Sequence, residues 1–117
     1  MQPDYSKKYT NTHQTMVTIN TTFHVDEEIK HDFIDYMKST YIAEAVTDNK
    51  LVNAKLSRIH AQHVEGGISY SVQFAFNCLD DLDNWDKTKG LKLNEELIKK
   101  FQDKVAGFST LLEEIEL

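Results

Sequence analysis

The chain has 117 residues, 40% of them apolar and 27% charged, which suits one modest hydrophobic core and excludes a chain too polar to collapse. Nineteen acidic against thirteen basic side chains leave a net charge of −6, a field that repels phosphate backbones and argues against nucleic acid as a partner. Cys78 is the single cysteine, so no intramolecular disulfide or cysteine-pair metal site is available, and no apolar run reaches the length of a membrane span.

Residues 1–14 are polar, hold the chain's one proline, Pro3, and offer no periodic apolar face, which predicts a flexible tail ahead of a single domain over 15–117. With no apolar signal in that tail, the expected location is the cytoplasm. From Met16 to Val25 the chain alternates, with Val17, Ile19, Phe23 and Val25 on one side and Thr18, Asn20, Thr22 and His24 on the other, as a half-buried strand requires. Asp26 then offers a cap oxygen, Glu27 and Glu28 suit the positive end of a helix dipole, and Ile29, Phe33 and Met37 recur every four residues. This predicts a helix from about Asp26 to Ala45, ended by Thr47-Asp48-Asn49.

A second strand is expected over about Leu51 to Gln62, with Val52, Ala54 and Leu56 opposite Asn53, Lys55 and Ser57. Glu65-Gly66-Gly67 predicts a tight hairpin, because glycine adopts positive φ freely. The third strand follows, with Ile68, Tyr70, Val72, Phe74 and Phe76 on one face and Ser69, Ser71, Gln73 and Ala75 on the other. Asn77 is expected to cap a second helical region, whose stripe of Leu79, Leu82 and Trp85 breaks near Gly90 and resumes at Leu93, Leu97 and Phe101. Its six lysines between Lys87 and Lys104 are read as a solvated face, with an adaptor for an acidic partner as an alternative use. A fourth strand closes the chain from Val105 to Glu116.

Two strand-helix-strand units joined by a hairpin define an α+β ferredoxin-like fold, βαββαβ, with a four-stranded antiparallel sheet and both helices on one face. Strands one and three should be central. The uncovered face then presents Thr18, Asn20, Thr22, Ser71 and Gln73, all hydrogen-bonding groups without a strong acid, base or nucleophile among them. Arg58, the only arginine, is suited to gripping a carboxylate or phosphate, and a bulge in strand two would be needed to turn it toward this face. These six residues are the candidate ligand-binding set. No catalytic residue, metal site or cofactor is expected: His60 and His63 are three apart on a strand and point to opposite sides. His24 is the better placed histidine for proton transfer, and sheet-type RNA stacking is disfavoured by the absence of aromatics on the open side of strand three.

Four stretches carry a family resemblance: His31-Asp32-Phe33 with Tyr36-Met37-Lys38; Ala54 to Arg58; Gly66 to Phe74; and Val105 to Glu113. On them, Met16 to Glu113 resembles a small bacterial family of unknown function, of the ferredoxin-like dimeric α/β-barrel type. The family pattern has His-Ile-Pro after the first helix and His-Ala-Pro in the second, where this chain reads Tyr41-Ile42-Ala43 and Thr88-Lys89-Gly90. The resemblance implies a homodimer with sheets packed face to face and no established activity. Two functions are carried forward: a noncatalytic or small-ligand-binding homodimer using the open sheet face, or a cofactor-independent oxygenase- or isomerase-like enzyme with Asn20, His24 and Trp85 as the residues to watch.

Overall fold

A computed structural model of the chain describes residues 15–60 and 66–117. The expected tail over 1–14, His63, Glu65 and the far end of the second predicted strand lie outside the described residues.

Strand β1 (Val17–Asp26) buries Val17, Phe23 and Val25 and leaves the alternate positions half-buried or exposed. At its end the Asp26 carboxylate accepts a hydrogen bond from the Glu28 N–H at 3.2 Å, opening a short 3₁₀ turn (Glu27–Ile29) that leads into α1 (Lys30–Tyr36). A π turn (Met37–Tyr41) and α2 (Ile42–Ala45) continue the same helical run. The reason for the π turn lies in the spacing. Phe33, Met37, Tyr41 and Ala45 are all buried, and in an ideal helix a strict four-residue repeat drifts by about 40° per step. The wider turn takes up one extra residue, so the stripe stays on the sheet. The run stops where expected: Thr47 Oγ1 donates to the Glu44 carbonyl at 2.7 Å and Lys50 N–H donates to Asp48 Oδ1 at 2.8 Å.

Strand β2 (Leu51–Ile59) and β3 (Gly67–Phe76) pair antiparallel, and Gly66, just ahead of β3, has a φ of 72°, the conformation glycine was expected to supply. In β3, alternation is complete from Gly67 to Phe76, with every second residue buried. The cap of the next helix falls one residue later than expected. Cys78, not Asn77, occupies the position, and its side chain makes no capping bond; the Cys78 carbonyl instead receives Leu82 N–H at 3.3 Å.

The second helical run comprises α3 (Leu79–Trp85), a π turn (Asp86–Gly90) and α4 (Leu91–Phe101). The sequence break near Gly90 is therefore a widened turn within one continuous run, which keeps Leu82 and Trp85 on the same side as Leu93, Leu97 and Phe101. Gly90 is buried, and a Cβ there would stand 2.8 Å from Trp85 Cζ3. Close approach fixes the residue type at this position. A 3₁₀ turn (Gln102–Lys104) then leads into β4 (Val105–Glu113).

The sheet order is β2-β3-β1-β4, every neighbouring pair antiparallel, with β1 and β3 central. Both helical runs pack on one face. Phe23 meets Phe33 edge-on with centroids 5.5 Å apart, Phe33 stacks on Tyr70 at 5.4 Å, and Trp85 lies against Phe74 and Phe76 at 5.2 and 5.6 Å. The runs are antiparallel to each other, since Tyr36 meets Phe101 while Ala45, nine residues later, accepts at its carbonyl from Trp85 Nε1 at 3.3 Å. Trp85 is thus a core residue, its indole N–H satisfied by the opposite helix.

Candidate functional site

Strand register assembles the uncovered face in four rows that run across β2, β3, β1 and β4. Asn53, Ala75, Thr18 and Leu112 form one; Lys55, Gln73, Asn20 and Thr110 the next; Ser57, Ser71, Thr22 and Phe108 the third; Ile59, Ser69, His24 and Ala106 the last. Directly opposed side chains stand about 5 Å apart at Cβ, so members of a row touch.

Asn20 organises the centre. Its Oδ1 accepts from Ser71 Oγ in a short contact and from Gln73 Nε2 at 3.3 Å, while its Nδ2 donates to Thr22 Oγ1 at 3.4 Å. Four of the six candidate residues therefore form one network, which the two central strands, β1 and β3, position by pairing alone. Thr18 lies one row away, beside Ala75 and Leu112, and takes no part. Arg58 is a correction: it stands level with Tyr70, whose side chain is in the core, so it belongs to the helix-bearing side of the sheet. The one irregularity in β2 falls between Leu51 and Asn53, upstream of Arg58, and strict alternation holds after it.

The cation on the open face is Lys55, opposite Gln73. It was legible, because the alternation of β2 places it opposite Ala54 and Leu56; what was missing was the register that sets it beside the Asn20 network. Apolar weight on the face comes from the edge strand. Phe108 is 65% exposed and Leu112 is 43% exposed, although both pair with the central strand. The four rows contain no carboxylate. Asp26, beyond them at the end of β1, is turned to the helix start and lies 3.8 Å from Lys104.

His24 sits at a corner of the face, exposed, with Nδ1 3.3 Å from Ser69 Oγ and the ring packed over Gly67. Trp85 is on the other side of the sheet, so Asn20, His24 and Trp85 do not converge. Among the described residues, no cluster of histidine, cysteine and acidic side chains could hold a metal ion.

Away from this face, a concave region of about 720 Å³ runs between the helices beside the two π turns and is lined by Ser39, Glu44, Thr88, Lys89, Lys92 and Glu96 among others. One pair of its charges is matched: Lys89 Nζ reaches Glu44 Oε1 at 3.1 Å, and also Thr47 Oγ1 at 2.7 Å. Nearby, Tyr41 donates to Asn94 Oδ1 at 2.9 Å, and burial, reinforced by Asp86, pushes its phenol far above the usual tyrosine range. Of the other lysines of this run, Lys100 lies 5.5 Å from the ring centres of Tyr36 and Phe101, and Lys104, beyond its end, hydrogen-bonds to Glu28, which raises the ammonium's pKa. Part of the expected solvated lysine face is therefore tied to the first helical run.

Residues 16–115 match the family described as a domain of unknown function (DUF4286), and the chain belongs to that family. No curated protein matches it. Among solved structures, an ethyl tert-butyl ether d (EthD) family protein from Bacillus halodurans is similar over 86% of this chain and 99% of its own, with 17% identity and a TM-score of 0.66. Hydroxynitrile lyase from Passiflora edulis matches 89% of this chain and 99% of its own at 12% identity and a TM-score of 0.63. A dimeric ferredoxin-like protein from an uncultured marine organism matches 88% and 98% at 9% identity, with a TM-score of 0.60. At these identities the likeness shows the ferredoxin-like α+β fold, and no function is assigned by it. No helix among the described residues is long and apolar enough to cross a membrane.

Proposed function

We propose that the protein works as a homodimer whose open sheet faces meet, and that it binds a small ligand noncatalytically at the Asn20 network between them. One observation carries this: in a chain of net charge −6, the four rows of the open face hold no carboxylate, while two large apolar side chains, Phe108 and Leu112, stand exposed on them. A patch free of carboxylates and carrying a single lysine, with aromatic and aliphatic groups left in the open, approaches the composition of an interface core. Self-association needs no complementary partner, because a twofold axis sets the same face against itself. A neighbour described as a dimeric ferredoxin-like protein supports a dimer by analogy. A cytoplasmic setting fits a chain whose one cysteine has no partner to pair with.

The enzymatic alternative draws no support from the geometry, because Trp85 is across the sheet from Asn20 and His24 and serves the core. Light scattering after size exclusion at micromolar concentration is the test. The expected mass is twice the 13.5 kDa of the protomer, and a monomer throughout would remove the proposal.

A further inference from the structure

We infer that the ligand of the open face is an amphipathic monocarboxylate, its acid group met by Lys55 and the neighbouring amides and its apolar body lying on Phe108 and Leu112. This rests on the homodimer reading above. The chemistry follows from what the Asn20 network leaves over. Asn20 Oδ1 already accepts two hydrogen bonds and Thr22 Oγ1 accepts one, so the network leaves the second amide hydrogens of Asn20 and Gln73 and the Thr22 hydroxyl as donors, beside the Gln73 carbonyl and the Ser71 oxygen as neutral acceptors, and the one full charge in these rows is the Lys55 ammonium. Lys55 stands in the same row as Gln73 and Asn20, and among the described residues it makes no ion pair.

Covering this face with a second copy removes Lys55 from water without supplying a carboxylate, since the two faces are identical and neither holds one in its rows. A buried ammonium without a counter-charge is strongly disfavoured, and with no carboxylate in the four rows an anionic ligand is the group this site calls for. A carboxylate fits a site made of one ammonium and amide donors, where charge assistance strengthens each bond. The apolar end is set by the edge strand. Three strand spacings, about 14 Å, separate the Lys55 and Thr110 backbones, so the cation and the apolar edge strand stand at opposite sides of the face. An acid held over Gln73 thus leaves its body over β4, against Phe108 and Leu112. Inorganic phosphate shares the charge and lacks the apolar part, which lets an experiment separate the two.

The test uses the full chain, with 4-phenylbutyrate, hexanoate, 4-phenylbutyramide and inorganic phosphate as probes in isothermal titration, and light scattering on the same samples. The two acids should bind at least tenfold more tightly than the amide or phosphate. Lys55→Met should reduce that preference at least tenfold, Lys55→Arg should restore it, and Phe108→Ser, in samples that light scattering shows to be dimeric, should weaken the acids more than phosphate. A dimer that binds neither acid, binds acid and amide equally, or responds the same with Lys55→Met overturns this inference and leaves the homodimer standing. A monomer overturns the homodimer and this inference with it.

Discussion

The two faces of the sheet are built from the same four strands by the same alternation, yet they differ in kind. On the helix-bearing side, Phe23, Tyr70, Phe74 and Phe76 are covered by Phe33, Tyr41 and Trp85, and the polar atoms that enter this core are satisfied: the indole by the Ala45 carbonyl, the phenol by Asn94. On the open side, Asn20, Ser71, Gln73 and Thr22 bond to one another, and neither described helical run packs over them. One face stores the stability of the fold; the other is the face proposed for recognition. The difference shows where substitutions should act: behind the sheet on folding, in front of it on association and ligand binding.

The largest effect on stability should come from the covered face. Phe33→Ala removes a fully buried ring that touches Phe23, Tyr70 and Phe101, and should cost about 3–5 kcal/mol in chemical denaturation. Next is Gly90→Ala. Alanine is the better helix former by about 1 kcal/mol, but its Cβ would collide with the Trp85 ring, and overpacking of this kind costs about 1–3 kcal/mol. The net change should be destabilising, and a Gly90→Ala protein that melted higher than the parent would show that the π turn relaxes around the methyl group.

Tyr41 offers a pH-dependent version of the same comparison. Because burial raises its phenol above the unfolded value near 10, the neutral phenol stabilises the fold fully below pH 10, and that contribution is lost as pH rises past 10 toward the higher folded value. Tyr41→Phe should lose about 1 kcal/mol at pH 7 through the broken bond to Asn94, and show a shallower alkaline decline than the parent. Equal slopes for the two proteins would place the alkaline transition elsewhere. The smallest stability effect belongs to the open face. Asn20→Ala frees half-exposed donors that water can satisfy, so the change should stay under about 1 kcal/mol, while ligand binding should fall sharply.

Much of this anatomy could be read from the residues alone. The period-two stretch from Ile68 to Phe76, the turn glycines and the four-residue repeat of Phe33 and Met37 each encode a local geometry, and the sheet order follows from two such units joined by a hairpin. The π turns were not legible. They arise from a mismatch between a four-residue repeat and a helix of 3.6 residues per turn, and show in sequence only as an awkward gap around Gly90. The site was half legible for a related reason: alternation assigns each side chain a face, but only register says which side chains are neighbours. Asn20, Ser71 and Gln73 were therefore identifiable as open-face residues before their network was, and Lys55 passed behind Arg58, whose guanidinium is the more conspicuous group.

Sedimentation velocity over a concentration series, on the parent and Phe108→Glu side by side, tests most directly whether the open face is an interface. The parent should sediment as a dimer at micromolar concentration, and Phe108→Glu should sediment as a monomer with unchanged far-ultraviolet circular dichroism, since Phe108 is largely exposed within the protomer. A monomeric parent, or a Phe108→Glu protein that remains dimeric, would contradict the account.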